Sequence, residues 1–215
     1  MDKDFWRSKR FVPLLITQFF GAFNDNLFKN TLMTFVAYKM VAGEQAVSIY
    51  SNIIAAIFIL PYFLFSAFAG LLADKYNRAY LTRILKVTEF ILMIGAGFLF
   101  VYKSLYLLIF ILFLMGVQST FFGPIKYALL PQLLRSEELI AGNAYVEAST
   151  YISIILGSIL GTLLPVPCSV ALLLTCAVIG MISSYHIPSA VGLRPNEKIS
   201  FNIFKLISNL SSNFE

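Results

Sequence analysis

Residues 70–78 read Gly-Leu-Leu-Ala-Asp-Lys-Tyr-Asn-Arg, a short charged turn that separates two long apolar runs. The run before it begins near Ser48, and the run after it begins near Tyr80. Each run matches the roughly 20 residues that a helix needs to cross the hydrocarbon core of a bilayer. The same alternation recurs six times between Arg10 and Pro188, which predicts a polytopic membrane protein.

The composition agrees with this prediction. Of the 215 residues, 59% are hydrophobic and 13% are charged, whereas a soluble domain usually carries about 25% charged residues. Six spans use nearly the whole chain, so we expect no separate soluble domain. The predicted class is an all-α membrane protein with six transmembrane helices, at about residues 11–39, 48–73, 80–102, 105–128, 139–164 and 168–186. Within the fourth helix, Gly123-Pro124 predicts a bend or a break.

The basic residues cluster in alternate breaks between the spans. By the positive-inside rule, this places both termini in the cytoplasm. It also explains the formal net charge of +5 better than nucleic-acid binding does. The residues concerned lie before the first span, around the second and fourth breaks, and after the last span: Lys3, Arg7, Lys9, Arg10, Lys75, Arg78, Arg83, Lys86, Arg135, Arg194, Lys198 and Lys205.

The two ends of the chain lie outside the six spans. Residues 1–10 are predicted to form a cytoplasmic N-terminus. Residues 189–215 are predicted to form a cytoplasmic amphipathic linker, because Phe201, Phe204 and Ile207 recur at helical spacing among polar residues. Such a helix lies on a membrane surface or against a partner rather than crossing the bilayer.

The first predicted helix carries charge near its middle. Asp25 and Lys29 are four residues apart and therefore share a helix face. They form either a self-neutralising pair that stabilises packing or a cavity-facing group that binds a cation or a substrate headgroup. The carbonyl oxygens of Asn24 and Asn26 favour a monovalent cation near Asp25. Nothing else in the sequence indicates a metal or a cofactor.

Further polar residues lie in helices three, four and five. Glu89 and Glu147 are either interhelical hydrogen-bonding groups or parts of a pathway through the membrane. Lys126 either extends to the interface or faces the same interior as Asp25, where it would attract phosphate as a point charge. Gln118 and Asn143 are weaker candidates for the same pathway.

Two glycine patterns predict close contacts. Gly157 and Gly161 form a GxxxG pair in helix five, which indicates a packing face rather than a site. In the turn at residues 70–78, Gly70 is expected to allow close helix approach, and Asp74 to cap the next helix and pair with an arginine. We therefore take Gly70, Asp74, Lys75 and Arg78 as a cytoplasmic gate loop.

This turn resembles the loop signature of the major facilitator superfamily, G-x-x-x-D-[RK]-x-G-[RK]-[RK]. The chain departs from it at Asn77, where glycine is usual, and at Ala79, where a second basic residue is usual. Within that superfamily, three stretches resemble the lysophospholipid transporter family, including its members fused to acyltransferases. They are Gln-Phe-Phe-Gly-Ala-Phe-Asn-Asp-Asn at 18–26, Phe-Gly-Pro-Ile-Lys-Tyr at 122–127 and Gly-Asn-Ala-Tyr-Val-Glu-Ala-Ser-Thr at 142–150.

The resemblance implies the N-terminal half of a twelve-helix fold, with a midplane site between two six-helix halves. It implies a flippase-like transporter that moves lysophospholipids across the bacterial inner membrane. It further implies that Asp25 and Lys126 bind a cation or the headgroup, and that Glu147 shares their interior. The implied partners are the bilayer, the lysophospholipid, and a second six-helix half or an acyltransferase.

Several alternatives remain open at this stage. The chain is a fragment, a split gene product, a homodimer or a degenerate gene. A small-solute or drug permease of the same superfamily, or a non-transporting remnant, would share the turn at residues 70–78. An enzyme is not expected, because acyltransferases of the fused kind need a His-x-x-x-x-Asp pair. The single histidine is His186, and Val191 stands where the aspartate would be.

Overall fold

The computed structural model describes residues 8–40 and 43–190, and these residues form a helical bundle. A π-helical turn, Val36–Met40, directly follows the first helix. No strand occurs in the described part of the chain, so the predicted all-α class is confirmed. The six α-helices are α1 Val12–Phe35, α2 Glu44–Lys75, α3 Arg78–Val101, α4 Leu105–Leu133, α5 Leu139–Leu163 and α6 Val166–Tyr185.

Helices α2 to α6 are long and apolar enough to cross a membrane. Helix α1 has 24 residues, which is also long enough to span, but it carries the polar residues 24–26 and Lys29 in its middle. More than half of its residues are buried, because it packs between α5 and α6 and also touches α4. A helix enclosed by other helices needs no lipid-facing apolar surface, so α1 can tolerate these polar groups.

Helix α4 is longer than the sequence predicts. It continues through Gly123, Pro124 and Pro131 to Leu133, whereas the predicted span ends near residue 128. Of the two outcomes expected at Gly123-Pro124, the break is wrong, and the bend stays a prediction. A proline removes one backbone hydrogen bond from a helix, and neighbouring helices in a membrane protein can compensate for that loss.

The close approach predicted from the GxxxG pair is confirmed. A Cβ atom on Gly157 would lie 2.6 Å from the backbone oxygen of Phe23, and one on Gly161 would lie 2.6 Å from that of Leu27. Ser153, one turn earlier, is fully buried. Helices α1 and α5 therefore touch backbone to backbone along this stripe, and this contact fixes the position of α1.

Arg78 holds the turn between α2 and α3 in place from inside the bundle. Its side chain is 1% exposed, and its Nε donates to the backbone oxygen of Ala73 at 2.9 Å. Its Nη1 donates to the oxygen of Ala128 in α4 at 3.1 Å, and its Nη2 lies 3.6 Å from Asp74 Oδ1. The backbone N–H of Arg78 donates to Ala190 at 2.8 Å. One arginine thus joins α2, α4 and the segment that follows α6.

Two expectations for this turn are wrong. Asp74 lies in the last turn of α2, and α3 is capped instead by Asn77, whose side chain accepts a hydrogen bond from the Tyr80 N–H at 3.1 Å. Asparagine is a preferred cap, which accounts for its presence where the superfamily signature has glycine. Gly70 makes no close helix contact, because a Cβ built there meets no atom of the described residues within 4 Å. Lys75 packs its ammonium over the Tyr76 ring at 5.5 Å.

Two predicted segments fall largely outside the described residues. The structure describes the predicted N-terminus only from Ser8 onwards and the predicted linker only as far as Ala190. Both segments therefore stay predictions.

Candidate functional site

A cavity of about 510 Å³ lies among helices α1 to α5. Its wall combines charged side chains with apolar and aromatic ones. The polar residues of the wall are Gln18, Asp25, Asn26, Lys29, Lys86, Gln118, Ser119, Lys126 and Thr150, and the apolar and aromatic ones include Phe58, Ile59, Tyr62, Phe122, Tyr127 and Ile154.

Asp25 lies in the wall of this cavity with one oxygen bonded and one unpartnered. Its side chain is 8% exposed, and Oδ2 accepts a hydrogen bond from the Ser119 hydroxyl at 2.5 Å. Its Oδ1 is buried and has no hydrogen-bond partner within the described structure. A buried carboxylate oxygen without a donor is costly unless a cation or a hydrogen-bond donor can reach it.

Lys29 does not neutralise Asp25 directly. Its ammonium donates to Asn26 Oδ1 at 3.1 Å and lies 5.4 Å from the centroid of the Phe58 ring. No ion pair joins Lys29 to Asp25 in the described part of the chain. The geometry therefore favours the second of the two interpretations of this pair, in which both groups face the cavity.

Behind Asp25 lies a buried charged network that joins α1, α3 and α4. The Lys86 ammonium lies 2.6 Å from Glu89 Oε2, and both side chains are at most 2% exposed. Asn24 donates to Glu89 Oε1 at 3.0 Å, and Gln118 donates to Glu89 Oε2 at 3.4 Å. Glu89 therefore accepts from three side chains. Asn24 and Glu89 do not line the cavity but lie one layer behind it.

Lys86 corrects the assignment of the basic residues to loops. The sequence groups it with the charges around the second break, but the structure places it inside α3 and in the cavity wall. A Cβ on Gly21 would collide with the Lys86 ammonium. Glycine at position 21 therefore leaves the space through which Lys86 reaches Glu89. The spacing of Lys86 and Glu89, three apart within an apolar run, was the signal that could have identified the pair.

Lys126 lines the same cavity as Asp25, as predicted, whereas Glu147 reaches it only indirectly. The Lys126 ammonium lies 4.7 Å from the centroid of the Tyr127 ring. Glu147 is half-buried and accepts a hydrogen bond from the Tyr127 hydroxyl, and Tyr127 itself lines the cavity. Asn143 is exposed and donates to the backbone oxygen of Leu139 at 2.9 Å, so it takes no part in the cavity.

The sequence did not single out several residues of the wall. Gln18 donates to Thr150 across the contact between α1 and α5, and both lie within stretches that carry the family resemblance. Ser119 donates to Asp25, but no local pattern distinguishes it from other hydroxyls in apolar helices. Tyr62 lies on α2, where the surrounding sequence is uniformly apolar.

The fold and this cavity define the chain as a multi-pass helical membrane protein with a polar chamber inside the bundle. The family model of the Major Facilitator Superfamily matches residues 14–204. The chain belongs to this superfamily, and the resemblance drawn from residues 70–78 is confirmed.

Curated relatives are named for the lysophospholipid transporter family, which the stretches at residues 18–26, 122–127 and 142–150 resemble. The chain is 26% identical over 199 residues to proteins named lysophospholipid transporter LplT from Salmonella paratyphi B, Salmonella newport and Salmonella agona. The match covers 88% of this chain and 46% of each relative. The chain thus spans about half the length of the curated relatives it matches.

Proposed function

We propose that this chain forms one six-helix half of a lysophospholipid transporter in the bacterial inner membrane, with both termini in the cytoplasm. The observation that carries the proposal is the single cavity that holds both Asp25 and Lys126 beside apolar and aromatic residues. A lysophospholipid has a charged headgroup and one alkyl chain, so it needs such a mixed wall. The relatives named as lysophospholipid transporters support the same substrate class.

Lys126 is the cation best placed to attract the lipid phosphate. Lys86 is already paired with Glu89, and Lys29 is hydrogen-bonded to Asn26. In the described residues Lys126 forms no salt bridge within 4 Å; its ammonium lies 4.7 Å from the centroid of the Tyr127 ring and interacts with the charge of Glu147 at longer range. An unpaired ammonium in a low-dielectric wall attracts phosphate as a point charge.

Asp25 supplies the opposite charge. Its unpartnered oxygen can accept from the ammonium of an ethanolamine headgroup or coordinate a monovalent cation. The apolar part of the wall, on α2 and α5, then receives the alkyl chain: Phe58, Ile59, Tyr62 and Ile154. Glu147 acts through Tyr127, and Glu89 acts by fixing Lys86 and Asn24 behind the wall.

The gate-loop residues have a mechanical role in this proposal. Arg78 joins three segments at the basic end of the bundle, so α2, α4 and the end of α6 would move as one body during transport. Asp74 and Lys75 are partly exposed charges at the edge of that body. A second six-helix half, or an acyltransferase that takes up the transported lipid, would be the partner.

Removing either cavity charge should weaken transport without unfolding the chain. We expect Asp25→Asn and Lys126→Gln each to reduce uptake of lysophosphatidylethanolamine by between about tenfold and about a hundredfold, because one charge-assisted contact contributes about 1.5–3 kcal/mol. The measurement is uptake of radiolabelled lipid by membrane vesicles that contain the chain together with the remaining half of a Salmonella LplT.

Two substitutions outside the cavity serve as matched controls. Glu44→Gln and Lys103→Gln remove one charge of the same sign from exposed positions and should leave uptake unchanged. Unchanged uptake by both cavity variants would contradict the proposal. Better competition by sugars or cationic drugs than by lysolipids would instead favour a small-solute permease of the same superfamily.

A further inference from the structure

A second cavity opens on the outside of the bundle, between the first turns of α1 and the last turns of α6. It has a volume of about 790 Å³ and is separate from the chamber that holds Asp25. Its floor is closed by the Ser183 hydroxyl, which donates to the backbone oxygen of Pro13 at 3.0 Å. Its walls are aliphatic: Val12, Ile16, Ile179 and Ile182.

The rim of this groove is polar and basic. Lys9 lies at one side, is exposed, and forms no ion pair with any described residue. Its neighbour Arg10 is paired with Glu138 at 2.7 Å, so Lys9 supplies the free charge. His186 lies at the other side, and its Nδ1 is 3.0 Å from the backbone oxygen of Ile182. Because that oxygen can only accept, Nδ1 donates, and Nε2 is left for a ligand.

Arg83 adds positive charge near the same end of α6. Its guanidinium lies 5.7 Å from the centroid of the Tyr185 ring and donates to the backbone oxygen of Ile187 at 3.3 Å. Its Nε is buried and has no hydrogen-bond partner in the described structure. Among the described residues that line the groove, Lys9 is the one cation, and Arg83 lies nearby but outside the lining. An aliphatic groove with an exposed ammonium at its rim complements a molecule with an alkyl body and an anionic head.

We propose that this groove binds an anionic diacyl phospholipid of the surrounding bilayer. An acyl chain lies along the aliphatic walls, and Lys9 holds the phosphate. Nε2 of His186 accepts a hydrogen bond from a headgroup hydroxyl, as in a phosphatidylglycerol. The site faces the bilayer rather than the transport chamber, so it goes beyond the proposed function and does not depend on it.

Charge favours an anionic lipid over the chain's own tail as the occupant. Residues 191–215 contain three basic residues and two acidic ones, so their side chains carry a net charge of only +1. Such a segment gains no attraction from the Lys9 ammonium, whereas an anionic lipid gains about 1 kcal/mol for each lysine or arginine near its headgroup.

The test is native mass spectrometry of the purified full chain in neutral detergent, titrated with phosphatidylglycerol or with phosphatidylcholine. We expect tighter binding of phosphatidylglycerol. Its affinity should fall about tenfold, or about 1.4 kcal/mol, in Lys9→Gln/His186→Gln, which removes the ammonium and the imidazole from the rim. A similar loss is expected in Ile179→Trp, which fills the groove.

Two matched controls separate this site from general surface effects. Arg135→Gln removes a charge from an exposed position in the fourth break, and Ile94→Trp enlarges an isoleucine that is 38% exposed, against 37% for Ile179. Both should retain full affinity. Lys9→Gln/His186→Gln changes the rim, whereas Ile179→Trp fills the groove. Either variant therefore tests the proposal if the other fails to fold.

Four outcomes would overturn the proposal. They are equal losses in the controls, unchanged affinity in the groove variants, equal binding of phosphatidylcholine, and competition by glycerol phosphate as strong as that by the lipid, which would indicate a phosphate site. A separate cross-linking experiment addresses the tail, and its positive result would also overturn the proposal. Cross-linking between Ile179→Cys and Phe204→Cys, in a chain without its two native cysteines, would show that the tail fills the groove.

Discussion

The variant Gly157→Ala/Gly161→Ala is expected to lose most of its folded population. Each new Cβ would lie 2.6 Å from a backbone oxygen of α1, at Phe23 and at Leu27. Backbone atoms cannot rotate away as a side chain can, so the two helices must separate. Overpacking of this kind costs about 1–3 kcal/mol at each site. The measurement is helix content during SDS titration of the purified chain in mixed micelles.

Gly70→Ala is the matched control for this prediction. It makes the same chemical change inside a helix, but its Cβ meets no described atom within 4 Å. It should therefore unfold at the SDS concentration of the unmodified chain or slightly above it, since alanine is the better helix former. If the double variant unfolds at the same point as Gly70→Ala, the backbone contact between α1 and α5 does not hold the bundle together.

The close-packing face of α5 could be predicted because the small residues repeat at helical spacing, although its partner α1 could not. The equally close contact at Gly116 could not. A Cβ there would lie 2.6 Å from the backbone oxygen of Phe58, so α4 meets α2 as closely as α5 meets α1. Gly116 stands alone in an apolar run, however, and a single glycine does not show which helix it faces.

The same limit applies to the residues of the cavity wall, because a sequence does not show which helix a side chain faces. Asp25 and Lys126 could be assigned to a cavity because charge within a membrane span is costly and because both lie in stretches that carry the family resemblance. Asn143 lies in such a stretch too, yet it is exposed and bonds its own helix. Ser119, by contrast, meets Asp25 only through the packing of α1 on α4. Local sequence gives the chemistry of a residue, but helix packing decides which residues meet.

For Lys86 the prediction failed for a different reason: a rule that usually holds was applied to a residue that does not follow it. Basic residues near a break usually lie at the loop or at the helix end beside it, and Lys75, the last residue of α2, follows that rule. Lys86 lies about two turns into α3. There the carboxylate of Glu89 and the space beside Gly21 make a buried ammonium tolerable. A buried ion pair of this kind is costly to separate, and that cost can be measured.

Breaking the pair from the Glu89 side should be the more destabilising of the two single changes. In Glu89→Leu, the Lys86 ammonium loses its ion pair and keeps the Phe122 ring, at 5.1 Å, and Asn24 loses its acceptor. Removing one partner of a buried pair costs about 3–5 kcal/mol. In Lys86→Met, the Glu89 carboxylate still accepts from Asn24 and Gln118, so the loss should be smaller.

The double variant Lys86→Met/Glu89→Leu distinguishes a charge effect from a packing effect. It leaves no unpaired charge, and apolar replacement of a buried ion pair is often nearly neutral. The double variant should therefore regain most of the stability lost in Glu89→Leu. A loss of about 1–3 kcal/mol should remain, because the amide of Asn24 still lacks a partner. SDS titration of all four proteins gives the coupling energy directly. If the two single losses simply add, the two side chains fold independently, and the network behind Asp25 does not hold the cavity wall in position.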